Sequence, residues 1–380
     1  MRRANVIDFW RGFALIEIFI NHVPDNGLWR FTHRQFSWSD AAELLVFLAG
    51  WSIALRMAAR PGDMGSFVAS RLMKIYVVHV VVTLLLVGIY LIAQQRLGDQ
   101  TIFIDYHFNM ELHGVTQMLI GALLLTEHIS YFNILPLYFL LTLSVIPMVL
   151  LARVSYGALL SVSFGVYVLA QMGLSLDQWP SGRFWAFNPF AWQLIFVLGF
   201  VAGSRREELA SRIDKSSFIF PVAIVIVVVS AMCVRLGIPA PSSSDRGALE
   251  AFLFHKNNEG VVRVLQFMAL AIVGYRLSPL VARLAPWAWS ICSLLGRNSL
   301  VVFGASALAA GVGQVLDRYG IYGALYDLSF ASAAVLFLIF VAMVREHVRE
   351  RMRQRVRAGD FAPQTRTEPA VAVPVDRAAA

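Results

Sequence analysis

The chain has 380 residues, 58% of them apolar and 15% charged, and its 26 glycines lift the apolar share to about 65%. Soluble domains run near 45–50% apolar on that definition with ~25% charge, so a water-soluble particle is excluded, and two cysteines in apolar stretches exclude a disulfide scaffold. The formal charge of +8 does not mark a nucleic-acid partner, because the basic residues fall in short gaps between apolar runs and in the C-terminal tail, where cytoplasmic anchoring charges sit.

A bilayer core of ~30 Å takes about 20 helical residues per crossing. Runs of that kind occupy 6–23, 38–58, 72–95, 132–152, 155–174, 189–204, 217–235, 261–277, 291–314 and 322–344. A shorter run, 113–126, is bounded by His113, Glu127 and His128, the length of an interfacial or re-entrant piece. Charge orients the set. Met1-Arg2-Arg3 places the N-terminus inside, and the six arginines from Arg345 to Arg357 do the same for the tail. Two inside termini need an even number of crossings. The expected architecture is therefore all-α and polytopic, with ten transmembrane helices, a short outer-face amphipathic or re-entrant helix at 113–126, and both termini cytoplasmic. Asp8 and Arg11 interrupt the opening run, which reads as a retained span rather than a cleavable leader. Residues 346–380 read as a tail, basic at first and then disordered.

Ionisable groups inside a bilayer are candidate functional sites, since each costs ~2.5–3.5 kcal/mol at a helix centre on insertion scales. The first span carries Asp8, Arg11, Glu17 and His22. Arg11 and His22 are eleven residues apart, which puts them about 20° from eclipsed and roughly 16 Å apart along the axis. One helix face thus presents a guanidinium at one end and an imidazole at the other. Asp8 stands three residues before Arg11, a helix-start ion pair, and Glu17 is expected to pair with Asn21 one turn on. The second span opens Ser39-Asp40-Ala41-Ala42-Glu43, a capping-box pattern whose carboxyls also lie at the depth of His22 and are candidates to orient its ring. In the third span Arg71 and Lys74 share a face, with Tyr76 and His79 deeper. With Arg11 they would form a basic mouth for the phosphates of a coenzyme.

Asn188-Pro189-Phe190-Ala191-Trp192-Gln193 opens a later span. Its mix of amides and aromatic faces has a sugar-binding composition, although an aromatic belt accounts for the tryptophans as well. His255-Lys256-Asn257-Asn258-Glu259, followed by Arg263 and Gln266, begins another span on polar residues. It is a candidate acceptor or anion contact. No metal-ligand spacing, phosphate loop or nucleophile elbow is present.

Ile7-Asp8-Phe9-Trp10-Arg11-Gly12 with Asn21-His22 closing the same span resembles the opening of the transmembrane acyltransferase-3 superfamily. Closer still is the OpgC family, which succinylates osmoregulated periplasmic glucans. The similarity continues through Asp40-Ala41-Ala42-Glu43, Ile75-Tyr76-Val77-Val78-His79, Leu135-Pro136-Leu137-Tyr138, Asn188 to Gln193, Lys256 and Gly296-Arg297-Asn298-Ser299-Leu300, and so runs from residue 5 to about 345. It implies a transmembrane acyltransferase domain over 1–345 in a bacterial inner membrane, moving an acyl group from cytoplasmic acyl-CoA (succinyl-CoA or acetyl-CoA) to an extracytoplasmic saccharide hydroxyl. No cofactor would be permanently bound. The resemblance makes His22 the essential histidine, with Asp40 or Glu43 beside it. Arg11, Arg71, Lys74, Tyr76 and His79 would hold the donor, and Asn21, Asn188, Trp192, Gln193, Lys256 and Asn257 the acceptor. The chain departs from the family pattern at His255-Lys256-Asn257-Asn258, where Asp-Lys-Thr-Asn is expected, at Asn298, in place of a histidine, and at Lys74, in place of an arginine. On residues alone, a transporter or flippase using the same polar face is the competing reading.

Overall fold

The computed structural model describes residues 4–60, 62–98, 101–238 and 248–357, and among these it is helical, with one isolated β-bridge between Asp177 and Phe184. In chain order the helices are α1 (Ala4–His22), α2 (Ala41–Ala59), α3 (Met64–Leu97), α4 (Ile102–Asp105), α5 (Met110–His113), α6 (Val115–Leu123), α7 (Ile134–Leu143), α8 (Val145–Val154), α9 (Tyr156–Gln171), α10 (Pro189–Ser204), α11 (Arg206–Lys215), α12 (Ile219–Arg235), α13 (Ala248–Phe254), α14 (Val261–Leu284), α15 (Pro286–Arg297), α16 (Ser299–Arg318) and α17 (Ala324–Arg357). The chain is a membrane protein. Five of these helices (α2, α3, α14, α16 and α17) are long and apolar enough to cross a bilayer, and there are seven if the bent pairs α7–α8 and α11–α12 each count as one span. The expected runs 6–23, 155–174 and 189–204 are also helical, as α1, α9 and α10, the last two being 16 residues long.

Two expectations need correction. The run 132–152 bends by 45° at Ser144. Pro147 lacks the N–H that would bond to the Leu143 carbonyl and its ring crowds that carbonyl, while the Ser144 hydroxyl takes up the Leu141 carbonyl at 2.9 Å. The run 291–314 is two helices, α15 and α16, parted at Asn298, whose side chain donates to the Leu294 carbonyl (3.0 Å) and accepts from Arg349 Nη1 (3.1 Å). The piece at 113–126 is the short helix α6, which starts just after Gly114 (φ +82°) and ends at Leu123. The arginine-rich stretch after 344 continues α17 as helix to Arg357. Residues 358–380, read as disordered, and Met1 to Arg3, used for orientation, lie outside the described residues.

Two helix crossings set the geometry of the polar face. A Cβ on Gly12 would stand 1.9 Å from the Cys292 carbonyl oxygen, and one on Gly199 would stand 2.0 Å from that of Phe47. Only glycine fits at such distances, so α1 lies directly against α15 and α2 against α10, the close backbone approach that small residues permit between helices in lipid. The indole of Trp10 then donates to Ser278 Oγ on α14 at 2.9 Å. With α1 and α2 fixed in this way, their polar residues have little freedom to move.

Candidate functional site

At the N-terminus of α2 the capping box forms as its spacing predicts: Ala42 N donates to Asp40 Oδ1 (2.8 Å) and Asp40 N donates to Glu43 Oε2 (3.0 Å). The remaining carboxylate oxygens face cations. Asp40 Oδ2 accepts from Lys256 Nζ, and Glu43, fully buried, accepts from Arg263 Nη2. Arg263 also donates to the Trp38 carbonyl and lies 3.8 Å from Glu259, itself fully buried. An ion pair in this setting is stable only while complete, because losing one partner strands a charge in a low-dielectric interior. Neither carboxylate bonds to His22. That expectation is replaced by a backbone contact: His22 Nδ1 lies 2.6 Å from the Ile18 carbonyl oxygen, and Tyr131 stacks on the ring with centroids 3.6 Å apart. A carbonyl only accepts, so Nδ1 carries the hydrogen and Nε2 of the neutral ring holds the lone pair.

Glu17 does not pair with Asn21. Its carboxylate accepts from His33 N (2.8 Å) and meets His33 Nδ1 (2.5 Å), while Asn21 Oδ1 accepts from Thr32 Oγ1 (2.9 Å). Both contacts stitch the 3₁₀ turns at 27–35 onto α1, and sequence separation alone could not reveal them.

Two polar cavities lie beside α1. One, of about 250 Å³, is lined by Arg11, Ser70, Arg71, Lys74, Tyr138 and Ser299 among apolar neighbours. No carboxylate lines it. Arg11 is held by the Leu48 carbonyl (2.9 Å) and Ser52 Oγ, with Asp8 at 4.0 Å, and Arg71 Nε donates to Thr142 Oγ1 at 3.3 Å. The basic mouth expected from Arg11, Arg71 and Lys74 is therefore assembled, but Tyr76 and His79 do not line it. His79 is buried, Nε2 to the Ala122 carbonyl at 3.0 Å, its ring stacked on Phe132. The other cavity, of about 170 Å³, is lined by Asn21, His22, Arg34, Asp40, Tyr131, Asn133, Lys256 and Asn257 with apolar residues. It carries an imidazole, three amides and two cations, of which Lys256 is matched by Asp40 and Arg34 is the second.

Asn188, Trp192 and Gln193 stand outside this second cavity. Asn188 caps α10, accepting from Phe190 N (3.1 Å) and donating to Leu174 O (2.7 Å) and Asn258 Oδ1 (3.0 Å). The buried Trp192 indole donates to the carbonyls of Lys256 (3.2 Å) and Asn257 (3.1 Å), and Gln193 binds Ser163 on α9. Tyr167 and Gln171 reach the carbonyls of Glu259 (2.8 Å) and Asn258 (2.5 Å). Together they clasp the loop that presents Lys256 and Asn257. Composition could not separate a residue that lines a cavity from one that grips the backbone behind it. Arg34, Tyr131, Asn133 and Tyr138 are cavity residues that sequence reasoning missed, since each looks like an ordinary interfacial residue.

A third and larger cavity, about 470 Å³, runs between α1, α2 and α14 and is lined by apolar side chains, with His33, Asp40 and Arg206 at its margins. It holds none of the other predicted site residues.

The family model described as OpgC protein matches residues 2–350. No curated protein and no solved structure matches the chain. The matched stretch takes in α1 with Arg11 and His22, the Asp40–Glu43 cap, Lys256 and every helix that lines the two polar cavities. The chain belongs to the OpgC family.

Proposed function

We propose that the protein is an acyl-CoA-dependent O-acyltransferase of the acyltransferase-3 kind, resident in a bacterial inner membrane, which esterifies a hydroxyl of an extracytoplasmic glucan or related saccharide with a succinyl or acetyl group. In this reading the ten helical runs are ten crossings. Both chain ends face the cytoplasm, as does the Arg11–Lys74 cavity, and the His22 cavity faces outward. What supports the reading is the placement of two chemically different cavities at successive levels of one helix, α1, a cationic one at Arg11 and Leu15 and one holding an imidazole at Ile18 to His22. The span between Arg11 and His22 is roughly 16 Å, within the length of an extended pantetheine arm. A donor with phosphates at Arg11, Arg71 and Lys74 thus brings its thioester toward His22 without crossing the membrane itself.

His22 is the base. Nε2 takes the proton of the acceptor hydroxyl as the oxygen attacks the thioester carbonyl. The new C–O bond forms, the C–S bond breaks, and the imidazolium returns the proton to the departing thiolate. The Ile18 carbonyl fixes the tautomer that this requires. Lys256 and the amides of Asn21 and Asn257 hold the saccharide, with Asp40 keeping the lysine in place.

The test uses isotopically labelled succinyl-CoA and acetyl-CoA with membranes containing the wild-type chain or His22→Ala, followed by mass spectrometry of the glycans. A general base contributes ~10²–10⁴-fold, so the variant is expected to lose that much ester formation while retaining CoA. Equal ester formation by both proteins overturns the assignment. Movement of glycan across wild-type membranes with no acyl-CoA consumed would establish the transporter reading in its place.

A further inference from the structure

We propose that Phe303 selects the acyl group, acting as the septum between the two polar cavities. The inference rests on the acyl-transfer reading above and adds the residue that sets the size of the donor. Phe303, on α16, lines both the cationic cavity and the His22 cavity, and it is buried. At the same level α1 contributes Leu15 to one lining and Ile18 to the other, and α7 contributes Leu135 and Ile134. The residues at this level are therefore apolar, and the aromatic one, Phe303, touches both spaces.

Phe303 is also held. Its ring stacks on Phe132 at 5.5 Å and 14°, and Phe132 stacks on His79 at 5.5 Å and 14°. His79 in turn is anchored through Nε2 to the Ala122 carbonyl at 3.0 Å. A Cβ on the neighbouring Gly304 would come within 3.0 Å of Val82, so α16 is pressed against α3 beside the septum. This gives His79 a positioning task at the far end of a three-ring stack.

Volume supplies the second argument. At about 250 and 170 Å³, each cavity falls below the ~300–1,000 Å³ typical of small-molecule sites, and only joined do they enter that range. The joint is at Phe303. An acyl group delivered from the cationic side must pass or rest against this ring to meet His22, so short acyl groups fit and long ones collide. Pockets built on apolar contacts discriminate by about 10–200-fold per methylene-sized change.

Two measurements test this. In the first, wild type, Phe303→Ala and Phe303→Trp are assayed with acetyl-, succinyl-, hexanoyl- and decanoyl-CoA, alongside CoA binding. Phe303→Ala is expected to raise hexanoyl and decanoyl transfer at least tenfold relative to acetyl, Phe303→Trp to favour acetyl over succinyl, and CoA affinity to stay within twofold. An identical chain-length profile in all three overturns the proposal. In the second, Ile18→Cys reports from the His22 cavity while a charged thiol reagent is added on the Lys74 side, with labelling read at residue 18 by mass spectrometry. Labelling is expected to accelerate at least tenfold when Phe303→Ala is added, and equal rates overturn the septum whether or not acyl transfer occurs. A wild-type protein that transfers no acyl group defeats the acyl-transfer reading instead, a result the labelling experiment does not depend on.

Discussion

The two polar cavities share a helix and a wall, yet their charges are arranged differently. The Arg11–Lys74 cavity gathers three cations with no carboxylate in its lining. The His22 cavity holds two cations, Arg34 and a Lys256 paired with Asp40, and surrounds the imidazole with amides. A cationic cluster beside hydroxyls, with Asp8 4.0 Å from Arg11 but outside the lining, is suited to phosphate, whereas a pocket that sets amides, an imidazole and a carboxylate beside its cations is suited to a polyhydroxylated ligand. On the proposed reading the contrast puts donor and acceptor at two levels of α1, and variants that disturb one cavity at a time test it.

The largest effect is expected from Arg263→Ala. It strands Glu43 and Glu259, both fully buried, and breaking such a pair costs about 3–5 kcal/mol. The checks are thermal unfolding in detergent and the yield of folded protein. Arg263→Ala with Glu43→Gln should recover part of the loss, and undiminished stability in the single variant would show that the pair is not needed to hold α14 to α2.

Next comes Arg71→Ala. A hydrogen bond to a charged group is worth about 1.5–3 kcal/mol, so CoA should bind roughly ten- to hundredfold more weakly while turnover at saturating donor stays near wild type. Competition by 3′-dephospho-CoA against acyl-CoA measures it. A fall in saturating turnover with unchanged affinity would move Arg71 from donor binding to chemistry.

The smallest effect is expected from Lys256→Met. The lysine side chain is 41% exposed, and pairs this wet are worth about 0.2–1 kcal/mol, so stability should barely move. The acceptor KM is expected to rise severalfold, read from initial rates against glucan concentration. A change in donor KM instead would contradict the division between the cavities.

Much of this arrangement is legible in the sequence. Arg11 and His22 recur at a spacing that only a shared helix face explains, and Asp40 with Glu43 announces a cap that the structure forms. The basic cluster followed from the bias of Arg71 and Lys74 to one face. What escaped was direction. An amide at Asn188 and one at Asn257 look alike in sequence, but the first holds a backbone loop and the second lines a cavity. Glu17 meets His33 across a turn, at a separation that no helical periodicity encodes. Asn298 ends a helix that hydropathy reads as continuous, its side chain held between the Leu294 carbonyl one turn back and Arg349 on α17.

The central claim is that donor and acceptor meet from opposite sides of one membrane. Proteoliposomes with acyl-CoA sealed inside and glucan supplied only outside test it most directly. The account expects ester on the external glucan, free CoA retained in the lumen, and loss of both in His22→Ala. Ester that forms only when donor and glucan share a compartment would contradict it.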